Sequence, residues 1–113
     1  MRPSSLRLPR EVLERLGEVV CVLERLGYER VYLTGGAAEG RLTAESDIDL
    51  VILLDHEPGS EEAVSIRERI LEALEEEGIP LYLPIEFHLV GPQRVKRYRT
   101  LRRLACRASE PRG

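Results

Sequence analysis

The stretch Asp47-Ile48-Asp49-Leu50-Val51 carries two carboxylates one residue apart at the head of an apolar run. On an extended strand alternate side chains share a face, so Asp47 and Asp49 project together, with α-carbons ~6.5–7 Å apart. Like charges this close need a cation or a proton between them. Oxygen ligands suit Mg²⁺ or Mn²⁺, and a pair of such ions is a common device for phosphoryl transfer. Upstream lies Gly35-Gly36, separated from Asp47 by ten residues. Glycine lets backbone approach a ligand closely, and the following Ala37–Gly40 fits one helical turn whose N–H groups could hold phosphate oxygens. Glu86 is the third candidate acid. It alternates with Ile85, Phe87 and Leu89, so it faces away from the core and can join the pair if its strand lies beside theirs. Asp55 has the right parity but sits ~20 Å along the strand, which is too far. Each piece also has a plain reading: solvated acids at a frayed strand start, a simple turn, an acid on an exposed sheet face.

The elements that must position these residues follow from periodicity. Pro9 opens a helix whose apolar positions (Val12, Leu13, Leu16, Val19, Val20, Leu23, Leu26) recur at helical spacing, with Gly27 as its stop. Arg30–Thr34 reads as a strand running into the diglycine. Asp47–Leu54 reads as a second, buried on both faces through Val51–Leu54. Pro58-Gly59 breaks the chain, and Ser60-Glu61-Glu62 starts a helix that ends near Gly78. Ile85–Val90 is a third strand, and Gly91-Pro92 opens a basic C-terminal helix over about 92–113. The predicted class is α/β or α+β, a small mixed sheet flanked by helices, within one domain spanning 1–113.

Strand, diglycine, ten-residue spacer, Asp-x-Asp strand and a later strand acid together resemble a minimal nucleotidyltransferase domain of the DNA polymerase beta-like superfamily. The resemblance spans about residues 10–95. It implies the nucleotidyltransferase fold and a Mg²⁺- or Mn²⁺-dependent transfer of a nucleoside monophosphate, AMP from ATP, onto a hydroxyl. It implies Asp47, Asp49 and Glu86 as metal ligands and catalytic residues, and Gly35 and Gly36 as nucleotide-binding. Three departures stand out: Gly36 lacks the serine hydroxyl many members have, Glu39 is acidic where relatives often carry a base, and Glu replaces the commoner Asp at position 86. Arg41 is the candidate that compensates for Glu39 at the phosphates. Small stand-alone members resemble the antitoxin half of a pair with a helical HEPN-type ribonuclease, which implies a protein partner. The alternative is a binding module with a weakened site that neutralises its partner sterically.

Other readings of the same residues fare worse. The Asp-x-Asp-x-Val loop of haloacid-dehalogenase-like phosphatases has its apolar strand before the aspartates, whereas here it follows. No Gly-Lys-Ser/Thr follows the diglycine, so a Walker-type phosphate loop is excluded. His88 shares parity with Glu86 and reads as a hydrogen-bonded sheet residue within reach of the site; His56 has no evident role.

Composition sets the remaining bounds. The 113 residues carry 33% charged and 42% hydrophobic side chains, an ordinary globular balance. Their net charge of −3 conceals an uneven split, since residues 94–113 hold eight basic side chains and one acid. In the predicted C-terminal helix Tyr98, Leu101, Ala105 and Ala108 take one side and Lys96, Arg99, Arg102, Arg103 and Arg107 another. That basic side could meet nucleic acid, nucleotide phosphates or an acidic protein. Nucleic acid is not favoured, with one Phe and no Trp for base stacking. No apolar run reaches the ~20 residues of a membrane span, and Met1–Arg10 lacks the apolar stretch of a secretory leader. Cys21 falls among Glu14, Glu18 and Arg25 and is expected to be an unpaired exposed thiol. Two cysteines make no disulfide framework or zinc site, so a reducing cytoplasm is the default. A homodimer is compatible with so small a sheet.

Overall fold

The computed structural model describes residues 10–35, 48–80 and 83–106. Helix α1 (Arg10–Arg25) leads into strand β1 (Val31–Thr34), then β2 (Ile48–Leu53), helix α2 (Ser60–Glu76), β3 (Ile85–Val90), a 3₁₀ turn (Arg94–Arg97) and β4 (Leu101–Leu104). The class is α+β: two helices and a four-stranded mixed sheet in the order β3-β2-β1-β4. Strand β1 is antiparallel to both β2 and β4, while β2 and β3 run parallel across the α2 connection.

Alternation along the strands decides which face is core. Val31, Leu33, Ile48, Leu50, Ile52, Phe87 and Leu89 pack in one cluster with Leu16, Val19, Val20 and Leu23 of α1 and Ile66, Ile70 and Leu74 of α2. Both helices therefore cover one face, and every second strand residue (Thr34, Asp49, Glu86) projects from the other. Gly27 and Gly78 end the helical segments with positive φ, 103° and 76°, where a side chain would be strained. No helix among the described residues is long and apolar enough to cross a membrane.

The C-terminal segment departs from the sequence expectation. In place of a helix from Gly91, the chain makes one 3₁₀ turn and then pairs as β4 along the outer edge of β1, with Val31 opposite Leu104 and Thr34 opposite Leu101. The physical reason is non-local: β1 has a second edge whose N–H and C=O groups need partners, and the return strand supplies them. The basic side chains thus split between the turn and an edge strand rather than lining one helix; residues 107–113 lie outside the described residues.

The cysteines also depart from expectation. Cys21 of α1 and Cys106, two residues beyond β4, form a disulfide across 85 positions. The Cys106 amide donates to Glu24 Oε2 at 2.8 Å, and Arg103 donates to the Glu29 carbonyl at 3.3 Å. The face of α1 opposite the core is therefore where the returning chain docks. Cys21 is not an unpaired thiol, which removes one support for the expected reducing compartment.

Beyond β3 the backbone runs close against the β2–α2 loop. A Cβ at Gly91 would come within 2.6 Å of the Glu57 and His56 backbone, so only glycine fits. The Glu57 carboxylate accepts hydrogen bonds from the backbone N–H groups of Gly91 (3.0 Å), Gln93 (2.9 Å) and Arg94 (2.9 Å). These bonds, that from Arg94 foremost, hold the Glu57 pKa below its ordinary value.

Candidate active site

The register brings the candidate acids into one row. Thr34 lies opposite Asp49 and Asp49 lies opposite Glu86, so β1, β2 and β3 each contribute one side chain to the same line on the helix-free face. Thr34 is buried, and its hydroxyl is satisfied by donating to the Thr100 carbonyl at 2.7 Å. That bond ties the β4 entry to the row without using either carboxylate.

His88 stands two residues beyond Glu86 on the same face of β3. Its Nε2 lies 3.1 Å from Asp49 Oδ1, and the ligand atoms of Asp49, Glu86 and His88 all lie within 4.8 Å of one another. Asp49 and His88 are about one-third exposed, and Glu86 is open to solvent. At 4.8 Å, the upper limit of their separation, two carboxylate charges repel by about 1 kcal/mol in water and about 3.5 kcal/mol at an effective dielectric of about 20. The donor set, two carboxylates and one imidazole from rigid neighbouring strands, fits a divalent cation that relieves this repulsion; Mn²⁺ or Mg²⁺ suits the oxygens and Mn²⁺ better tolerates the nitrogen. Tyr98 meets the His88 ring edge-on, with centroids 6.2 Å apart, and so restricts its rotation.

Gly35 closes the other side. Its φ of +74° favours glycine, and a Cβ there would stand 3.2 Å from Asp49 Oδ2. The turn after β1 therefore needs this residue twice over, for its backbone conformation and for the room it leaves beside the carboxylate.

Of the residues singled out from sequence, the structure brings Asp49, Glu86 and Gly35 together. Asp47, Gly36 and Arg41 lie outside the described residues, as does Glu39. Asp55 is remote in function as expected, and it engages His56 instead. His88 joins Asp49 and Glu86: its parity with Glu86 is legible in the sequence, but its contact with Asp49 depends on β3 lying parallel beside β2 in this register. His56, given no role from sequence, bridges two acids, Nδ1 to Asp55 Oδ1 and Nε2 to Glu62 Oε2, both at 2.6 Å. The bond to Asp55 and then that to Glu62 raise the His56 pKa above 6.5, and the same bond lowers the Asp55 pKa.

Comparison with known proteins bears on the fold and the family. No curated protein matches the chain. The crystal structure of a candidate nucleotidyltransferase from Sulfolobus solfataricus superposes with a TM-score of 0.62 at 16% identity, over 96% of this chain and 93% of that one. At that identity the likeness speaks for the fold. A second crystal structure, also of a candidate nucleotidyltransferase, is 25% identical over 81% of this chain and 96% of that one, with a TM-score of 0.45. The family model for the nucleotidyltransferase domain matches residues 13–103, which takes in β1, the Asp49 strand, Glu86 and His88. With that span covered, the chain belongs to the nucleotidyltransferase domain family.

Proposed function

We propose that this protein is a metal-dependent nucleotidyltransferase that moves a nucleoside monophosphate, AMP from ATP, onto a hydroxyl of a separate acceptor. The observation that carries the reading is the convergence of Asp49, Glu86 and His88 within 4.8 Å beside the Gly35 turn, inside a chain of this family. Asp49, Glu86 and His88 would hold the cation, with Asp47 as the further carboxylate expected from sequence. A bound divalent ion supplies neutralisation of the charge that develops on phosphoryl oxygens during in-line displacement.

The chain's own residues prepare the ground for that chemistry. Asp49 and Glu86 sit on paired central and edge strands, so their separation is fixed by the sheet rather than by loop geometry. His88 Nε2 lies 3.1 Å from Asp49 Oδ1, close enough for the two atoms to face one cation, and Asp49 Oδ2 is turned toward the glycine turn. Gly35 presents bare backbone there, where a nucleotide's phosphates can come close without meeting a side chain.

The acceptor hydroxyl belongs to another molecule, and the family resemblance implies a HEPN-type helical protein as one bearer. The test is incubation with Mn²⁺ or Mg²⁺, α-labelled ATP and the copurifying partner. Label that reaches the partner, and is lost with Asp49→Asn, supports transfer. Absence of transfer under both metals, with Mn²⁺ binding unaffected by Asp49→Asn, sinks it.

A further inference from the structure

A cavity adjoins the triad at His88, on the outer side of β3. It measures about 380 Å³, within the ~300–1,000 Å³ range of small-ligand sites, and lies between the first half of α2 and the end of β3. Arg67, Arg94 and His88 contribute cationic or hydrogen-bonding nitrogens to its wall, Ser60 a hydroxyl, and Val64 and Leu89 apolar surface. Among the described residues no carboxylate lines it, in a chain that carries 20 acids against 17 bases.

Two neighbouring acids, Glu57 and Glu62, are already engaged. Glu57 spends its oxygens on three backbone N–H groups, and Glu62 is held by His56. Neither arginine forms an ion pair with a carboxylate among the described residues, although the Arg94 charge helps to lower the Glu57 pKa from a distance. Arg67 donates from Nη2 to the Phe87 carbonyl at 3.1 Å, which anchors the guanidinium at the β3 edge and leaves most of its five N–H donors without a partner among the described residues. Two planar guanidiniums flanking a polar cleft are suited to a phosphate, which each can bind through paired N–H groups.

His88 belongs to both places: it lines this cleft, and its Nε2 lies 3.1 Å from Asp49. We infer that the cleft is a phosphate subsite for the acceptor, so that the molecule receiving the nucleotide is a phosphate monoester whose anionic group docks between Arg67 and Arg94 while its hydroxyl faces the Asp49–Glu86 pair. The apolar wall formed by Val64 and Leu89 takes the organic body that separates the two groups. This inference rests on the nucleotidyl-transfer reading for the identity of the bound molecule as an acceptor, but its binding half stands alone.

The experiment separates the two. Inorganic phosphate and ribose 5-phosphate are titrated into metal-free protein, followed by amide and arginine side-chain NMR shifts. Shifts that map to Ser60, Arg67, His88 and Arg94, weaken at least tenfold in Arg67→Gln and in Arg94→Gln, and persist in Asp49→Asn support the subsite. Shifts elsewhere, no shifts, or shifts unchanged in both arginine variants overturn it, whatever becomes of catalysis. In the transfer assay, Arg67→Gln should raise KM for the phosphorylated acceptor at least tenfold and leave KM for ATP unchanged. Transfer to an acceptor that lacks phosphate, undiminished in both arginine variants and not inhibited by ribose 5-phosphate, removes the cleft from the reaction while nucleotidyl transfer stands.

Discussion

The molecule contains two clusters built from the same three residue types, Asp49–Glu86–His88 and Asp55–His56–Glu62, and they are suited to opposite ends. In the first, the carboxylates and the imidazole come from two strands locked in register, and their ligand atoms converge on one volume. In the second, the imidazole stands between its acids with one nitrogen toward each. That geometry consumes both ring nitrogens and keeps the two carboxylates on opposite sides of the ring. An imidazole with an acceptor at each nitrogen is best served by protonation, so its charge offsets one of the two carboxylates, and no ring nitrogen is left to bind a cation. Composition alone cannot separate them. Placement does: neighbouring strands aim side chains in parallel, whereas a loop residue and a helix turn reach a ring from two directions.

The largest expected effect breaks the first cluster. Asp49→Asn should lower Mn²⁺ affinity and nucleotidyl transfer each by at least ~100-fold, because even outer-shell partners of a metal are worth 10–100-fold. Calorimetric Mn²⁺ titration and label transfer measure the two. The paired histidine variants come next and test the contrast directly. His88→Gln should weaken Mn²⁺ binding about tenfold or more, while His56→Gln should leave it unchanged. Equal effects in the two variants would erase the distinction drawn here.

A smaller effect is expected from Gly35→Ala, which places a side chain at positive φ and against Asp49 Oδ2. A cost of about 1–2 kcal/mol should appear as a lowered midpoint in denaturant unfolding, with weaker Mn²⁺ binding alongside. The smallest concerns pH. His56 has a raised pKa in the fold, so its contribution to stability is fully present below its ordinary 6.5 and is lost as pH climbs through the folded value. Asp55 and Glu57 have lowered pKa values, so theirs is present above the ordinary 3.8 and 4.5 and is lost as pH falls through the folded values. The destabilisation by His56→Gln should therefore shrink as pH climbs past the ordinary 6.5 and through the folded value, and that by Glu57→Gln should shrink in acid. Urea midpoints collected across the pH range check both signs.

The sequence made much of this legible because the decisive signals are local. Ile85–Val90 is bounded by Pro84 and Gly91 and is the observed β3; α2 starts at Ser60 with Glu61 and Glu62 in its first turn, but Gly59 holds the N-cap position and no side chain caps the helix; Arg30–Thr34 overshoots β1 by one residue. Asp49 and Glu86 could be paired because parity along a strand fixes the face. What failed was non-local. Tyr98, Leu101 and Ala105 have a spacing that fits a helix, yet the open edge of β1, some 70 positions earlier in the chain, claims Leu101–Leu104 as a strand. Cys21 looked solitary because nothing near it announces Cys106. His88 was visible as a residue of the right parity, but its partner could be named only once β3 was known to lie parallel to β2.

The sulfur bridge between Cys21 and Cys106 makes a closed ring of everything between them, the metal-ligand candidates included. A single proteolytic nick anywhere within that ring severs the backbone yet releases no fragment. On an electrophoresis gel without thiol such a nicked chain runs as one species, and it parts into two only after reduction.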